Sequence, residues 1–336
     1  MIKKVLYYVV FIIWIITTSN LLLLPSYILN KQKDTAMFLK KKSQTILSFI
    51  LTEGFQTNLY YHRKIIPSKD KVDIVMINHI STVDFTIILA IFDYWNIHYC
   101  NIIMKNDIIF IPGIGFVLLN TNDIKINRHW NKDQQLLEKS ISRLEKGLII
   151  IFPEGRRYNY SRHKSAIQFS KERGIPIYKN TLVPRVKGIW KIISELNKNN
   201  TLGKIYDMSI FLSKFHLKEA YIKDILCNDI GDAFIITREL HKPSLVTMSN
   251  LDNFKIWFYN MWKEKDIIIS NKTAFSYLKA KPKYSKSDYI FVISFVIIFI
   301  GMIKKFKGKM LGTLMLLSYL IITVNYFRLK KTEKMF

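Results

Sequence analysis

The chain has 336 residues, 49% of them hydrophobic and 14% aromatic, which is ample for a substantial core and excludes a wholly disordered protein. Its formal charge of +26 points to anionic partners, either nucleic acid or the phosphate-rich surface of a membrane, although scattered lysines also make an ordinary solvated face. The two cysteines, Cys100 and Cys227, give neither a disulfide framework nor a zinc cluster, and no Walker, GxGxxG or GxSxG motif occurs, so metal-free chemistry outside nucleotide hydrolysis, dinucleotide binding and the common serine hydrolases is expected.

From the N-terminus, Lys3 and Lys4 precede an apolar run over residues 5–24 that is long enough for a spanning helix. It lacks a clear small-residue cleavage site and ends at Pro25, so a retained anchor is expected rather than a signal peptide. The globular body is expected over residues 45–270, after an anchor and basic linker over 1–44. It alternates β-prone and helical stretches: β-prone 72–77, helical 82–94, β-prone 98–104 and 117–126, then a helix over 132–145. That rhythm predicts an α/β fold with a mixed central sheet flanked by helices.

Directly after the first β-prone run come Asn78 and His79, with Asp84 five residues beyond His79. A histidine and a carboxylate suggest a general base and its orienting partner. Five residues turn roughly 500° around a helix, so the two cannot pair within one regular helix. They pair if His79 lies in the turn leaving the strand and Asp84 in the first turn of the next helix, with Ser81 as N-cap. The alternative is structural: residues 81–84 resemble a capping box, in which Asp84 only satisfies backbone donors.

A second apolar run, 148–152, ends in Pro153-Glu154-Gly155-Arg156-Arg157, where proline and glycine force a turn at a strand's C-terminal end. Ligand sites in open α/β sheets favour such ends. Arg156 and Arg157 offer donor forks suited to phosphate, or are simply a surface pair. Arg128 and Lys105 are equally ambiguous in isolation. Towards the C-terminus a basic linker from residue 271 precedes apolar runs over 289–303 and 310–327, separated by Lys304, Lys305, Lys307 and Lys309. They read as a membrane hairpin, the first run being short for a full span. Fixed to a bilayer at both ends, a basic chain is more simply explained by anionic headgroups than by nucleic acid.

The order of these blocks resembles the glycerolipid acyltransferase family, the lysophosphatidic acid acyltransferases. Asn-His followed by four residues and Asp is matched by Asn78, His79 and Asp84; a glycine-containing segment closing on arginine by Pro112, Gly115 and Arg128. The Phe-Pro-Glu-Gly-Thr-Arg block is matched by residues 152–157, and a proline-centred block by Leu182-Val183-Pro184-Arg185. With Ile205-Tyr206-Asp207 and the C-terminal apolar pair, the likeness is greatest to the eukaryotic epsilon-type branch. Arg156 stands where that family usually has Thr or Ser.

The resemblance implies acyl transfer from acyl-CoA, a co-substrate rather than a retained cofactor, to the sn-2 hydroxyl of lysophosphatidic acid. His79 would be the base, Asp84 its orienter, and Arg128 and Arg157 the phosphate ligands, with Lys105 adding positive potential. Glu154 would hold the arginines or the turn. Asn78, Gly115, Gly155 and Pro184 complete the implied substrate site, and backbone amides near Gly155 or Ser81 are expected to meet the oxyanion. Other lysophospholipids, such as lysophosphatidylglycerol or lysocardiolipin, stay open as acceptors, as does a catalytically silent membrane scaffold. The family context implies an endoplasmic reticulum membrane or, alternatively, a mitochondrial one; oligomeric state is not readable.

Overall fold

The computed structural model describes Ser26 and residues 29–111, 114–214 and 230–286. The apolar runs at both ends, Pro112 and Cys227 lie outside these residues. Among the described residues no helix is long and apolar enough to cross a membrane.

The first half comprises helix α1 (Gln32–Phe49), a π-helical turn over Ile50–Gly54, strands β1 (Leu59–Tyr61) and β2 (Val72–Ile77), and helix α2 (Asp84–Tyr94). Then come β3 (Cys100–Lys105), α3 (Ile114–Leu119), β4 (Ile124–Ile126), α4 (Trp130–Ile141) and β5 (Gly147–Ile151). The second half contributes α5 (Tyr160–Arg173), α6 (Val186–Lys198), β6 (Leu202–Leu212) and β7 (Ala233–Leu240). It closes with α7 (Leu245–Ser249), α8 (Leu251–Ser270) and β8 (Leu278–Lys279).

These strands form one mixed sheet in the order β4-β3-β5-β2-β6-β7-β1-β8. The stretch from β4 to β6 is parallel, whereas β7 runs antiparallel to β6 and β8 antiparallel to β1. Parallel strands need covering on both faces, and their sequences show it. In β2, Val75 and Ile77 face a core shared with α1 and α2, while Val72, Ile74 and Met76 face a second core built with α4, α6 and α8. Strand β5 splits the same way, Leu148 and Ile150 against Ile149 and Ile151. This two-sided alternation places β2 and β5 side by side at the middle of the sheet, with Met76 opposite Ile151. The segments leaving their C-terminal ends therefore emerge together.

Two expectations need correction. Residues 117–126 are not a single strand: Val117 and Leu118 are buried within α3, and only Ile124–Ile126 pairs with β3. A short apolar run fits a buried helix as well as a buried strand, and here the turn is set by Asp123, which accepts from Thr121 Oγ1 at 2.5 Å and from the Ile102 N–H at 2.8 Å. The boundaries expected at 44/45 and 270/271 also cut through built structure. Helix α1 crosses the first and buries Ala36 and Leu39 in the core. Beyond the second, β8 pairs with β1, and the Tyr284 hydroxyl meets Ser48 and Thr52 at 2.9 and 2.8 Å.

Candidate active site

His79 leaves the end of β2, and its Nδ1 lies 2.8 Å from Asp84 Oδ2 in the first turn of α2. Asp84 is fully buried. It also accepts from the Ile80 and Ser81 N–H groups at 2.6 and 2.9 Å and from Ser81 Oγ at 2.7 Å. Four donors offset the cost of taking the carboxylate out of water and fix its position. Both readings of residues 79–84 therefore hold at once, since the carboxylate organises the turn and orients the histidine. Ser81 is not the N-cap; that position is Val83, whose N–H donates to Ser81 Oγ at 3.1 Å. With Nδ1–H directed at Asp84, the tautomer leaves Nε2 with its lone pair available as base. The His79 side chain is 25% exposed, enough to be reached from the adjoining cavity.

Three amides of the two turns expected to meet an oxyanion are engaged within the protein. Those of Ile80 and Ser81 donate to Asp84, and that of Gly155 donates to Phe152 O at 2.9 Å. Asn78 needs a similar correction as a substrate ligand. Its side chain accepts from the Ile210 N–H at 2.8 Å and donates to Ile210 O at 2.9 Å, so both ends of the amide extend the β2–β6 pairing. It positions His79 rather than touching substrate.

Glu154 clamps backbone, not arginines. Its Oε1 accepts from the His79 N–H and its Oε2 from the Leu182 N–H, both at 2.9 Å, which joins the first, third and fourth blocks through one buried carboxyl. Burial pushes its pKa up to about 8, against the opposing pull of the two backbone N–H donors and of Lys265. An acid raised in the folded state contributes stability that is complete below its unfolded value and lost as pH rises through its folded value. Stability should therefore fall between about pH 4.5 and about pH 8, and Glu154→Gln should flatten that slope in denaturant titrations across this range. An unchanged slope would contradict the assignment.

Helix α8 supports this junction from below. Trp262 Nε1 donates to Leu182 O at 3.1 Å, and the Asp266 carboxylate accepts from the Lys179 and Asn180 N–H groups at 2.7 Å each. Lys265, fully buried, reaches Met208 O at 2.6 Å, Met76 O at 3.2 Å and Asp207 Oδ1 at 2.7 Å. Burial lowers its pKa, and the Asp207 charge works in the opposite direction. None of these α8 residues was singled out from the sequence.

A cavity of about 1360 Å³ opens beside His79. That exceeds the roughly 300–1,000 Å³ of pockets for drug-sized ligands and leaves room for an extended chain. One arm is apolar, walled by Phe85, Leu89, Ile102, Met104, Val117 and Leu118. It also reaches Gln44 and the 2.7 Å ion pair between Lys40 and Asp123. Another part of the wall carries Arg128, Arg156 and Arg185 together with Gly155 and Pro184. Arg157 does not line the cavity; its carbonyl accepts from Arg162 instead. Lys105 lines the wall but is paired with Asp107, which offsets its charge. Gly115 lies buried in the first turn of α3, its N–H on Ile111 O at 2.9 Å, and is not part of the wall.

Arg128 has a left-handed backbone, φ +64°, uncommon without glycine. Asp133 in the first turn of α4 holds it there, accepting from the Asn127 N–H at 2.7 Å and the His129 N–H at 2.9 Å, on either side of Arg128.

Residues 59–213 match the family model described as Acyltransferase, a span that includes the His79–Asp84 turn, Arg128 and the turn at Glu154. Over those residues the chain resembles that family. It is 23% identical over 243 residues to mouse 1-acyl-sn-glycerol-3-phosphate acyltransferase delta, covering 67% of this chain and 59% of that protein. It is 29% identical over 116 residues to 1-acyl-sn-glycerol-3-phosphate acyltransferase 2 of Arabidopsis thaliana, covering 33% and 29%. The chain thus spans about three fifths of the length of the mouse relative. Among solved structures it is similar to the 1-acyl-sn-glycerophosphate (LPA) acyltransferase PlsC of Thermotoga maritima, at 12% identity and a TM-score of 0.49, over 85% of this chain and 97% of that one.

Proposed function

We propose that the protein is a membrane-bound, acyl-CoA-dependent 1-acylglycerol-3-phosphate O-acyltransferase, converting lysophosphatidic acid to phosphatidic acid. The observation that carries this reading is the His79–Asp84 pair, 2.8 Å apart, on the wall of a cavity with an apolar arm and an arginine-bearing wall. A substrate with a long hydrocarbon chain and a phosphate at one end has the polarity of that space. The names of the similar proteins supply the acceptor, and the apolar runs at both chain ends supply the membrane.

In this mechanism His79 Nε2 takes the proton from the sn-2 hydroxyl as that oxygen attacks the thioester carbonyl. The C–O bond forms, the C–S bond breaks, and the proton on His79 passes to the departing CoA sulfur. Asp84 fixes the tautomer and stabilises the imidazolium. No acyl-enzyme is formed. The base contributes about 10²–10⁴ in rate, and holding both substrates in place supplies much of the remainder. Residues 45–270 hold the catalytic machinery, with adjoining described residues built onto them, and the terminal segments keep the enzyme at a bilayer where its acceptor resides.

The test is acyl transfer from labelled oleoyl-CoA, with purified full-length protein in mixed micelles, to lysophosphatidic acid and to a panel of other lysophospholipids. Turnover with lysophosphatidic acid above the panel supports the reading. Turnover only with another lysolipid keeps the mechanism and changes the acceptor, and silence across the panel from folded protein would leave the scaffold.

A further inference from the structure

We propose that Arg156, together with Arg128 and Arg185, forms a charge-selective anion site that takes acceptors bearing a dianionic phosphate monoester in preference to a monoanionic phosphodiester. This rests on the acyltransfer reading and adds to it the charge class of the acceptor, assigned to a residue that departs from the family's usual block.

The three side chains reach one wall by separate structural devices. Gly155, at φ +65°, makes room for Arg185: a Cβ there would lie 3.0 Å from Arg185 Nε and 3.1 Å from its Cδ. The Arg185 N–H is also tied to Pro153 O at 2.8 Å, so backbone and side chain both lie along the turn that carries Arg156. Arg128 is brought in by the left-handed turn that Asp133 brackets. Among the described residues none of the three guanidinium groups forms an ion pair. They do sense one another: burial, then the charges of Arg156 and Arg128, pull Arg185 below the usual guanidinium range.

Like charges gathered without a counter-ion repel, and the repulsion is relieved when an anion arrives. With threonine at position 156 this group on the wall would hold two guanidinium groups; in this chain it holds three, beside Arg162, which also lines the cavity and donates to the Arg157 carbonyl. Each guanidinium offers a fork of donors, and its attraction scales with the charge it meets. A third cation therefore favours a phosphate with two charges over one with a single charge. Exposure of Arg156 at the surface also separates this role from folding.

The experiment measures kcat/KM for lysophosphatidic acid, a phosphate monoester, and for lysophosphatidylglycerol, a diester, with wild-type, Arg156→Thr and Arg156→Lys full-length protein. The wild type should prefer the monoester. In Arg156→Thr the ratio of the two values should fall about tenfold, the scale of one charge-assisted hydrogen bond, and Arg156→Lys should keep most of it. A ratio unmoved by Arg156→Thr in an active enzyme overturns charge selection while leaving acyl transfer intact. A rise in KM for acyl-CoA with either acceptor, at constant ratio, overturns it too, because the guanidinium would then serve the donor's phosphates. Wild-type protein inactive with both acceptors but active with another lysophospholipid overturns this proposal and keeps acyl transfer, whereas silence across the whole lysophospholipid panel removes the acyltransfer reading and this proposal with it.

Discussion

Replacing His79 with alanine should lower acyl transfer by about 10²–10⁴-fold, the contribution of a positioned general base, while the protein stays folded. The second half of that expectation comes from the surroundings of Asp84. Removing the imidazole takes away one of four donors to the carboxylate and leaves Ile80 N–H, Ser81 N–H and Ser81 Oγ in place. The lost side chain is itself 25% exposed, so no large cavity opens. Asp84→Asn is the harsher change, because an amide cannot accept from all four donors and no longer fixes the His79 tautomer. The measurement is kcat for each variant beside its thermal unfolding profile. A His79→Ala protein with wild-type turnover would contradict the role given to the imidazole, and a His79→Ala protein that fails to fold would contradict the role given to the carboxylate.

Lys265→Met should destabilise the domain by about 3 kcal/mol, at the lower end of the cost of breaking a buried ion pair. The methionine fills a similar volume but leaves Met76 O and Met208 O without their shared donor, and Asp207 Oδ1 without its ion-pair partner, in a buried site. The lower end applies because Asp207 Oδ2 keeps Arg238 Nε at 2.7 Å. Met76 lies next to the end of β2, two residues before Asn78, and Met208 lies within β6, two residues before its partner Ile210, so turnover should fall along with stability. The shift of the urea midpoint at constant m-value measures the loss. A loss below about 1 kcal/mol would show that the buried cation is dispensable.

Most of the central fold was legible because its strands are buried on both faces and its helices are apolar on one. Residues 72–77 read as a strand and form one, and 148–152 differ from β5 only at the ends. Residues 117–126 misled because the short apolar stretch 117–119 carries no period that separates helix from strand, and the polar residues 120–123 that follow it are the turn dividing α3 from β4. Within the site, the His79–Asp84 pairing followed from local geometry, since a turn between strand and helix was the arrangement that let them meet. The roles of Asn78 and Glu154 did not follow. Each bonds to backbone far away in sequence, Ile210 in one case and Leu182 in the other, and a backbone acceptor or donor leaves no mark in a sequence.

The two neighbouring arginines were indistinguishable as letters. The turn at Gly155 sends Arg156 to the cavity wall and not Arg157, which depends on a positive φ and a neighbour, Arg185, that only folding brings close. Lys265 did leave a signal that could have been read. It lies four, seven and eleven residues after Met261, Phe258 and Phe254, on the buried stripe of α8, and a lysine at a core position implies a buried partner. Asp133, acidic in the first turn of α4, looked like an ordinary response to the helix dipole. Its other duty, holding Arg128 in a left-handed turn, is visible only once Asn127 and His129 are seen to point at it.

The most direct test of base-assisted direct transfer follows the label. Purified protein is given acyl-CoA with a labelled acyl chain, first alone and then with lysophosphatidic acid, and the label is sought on the protein, in free fatty acid and in phosphatidic acid. The predicted result is an unlabelled protein in the first case and, in the second, phosphatidic acid labelled at the sn-2 position in a His79-dependent manner. A covalently labelled protein whose label then chases into phosphatidic acid would contradict direct attack by the acceptor hydroxyl, and label recovered only as free fatty acid would contradict acyl transfer to the lysolipid.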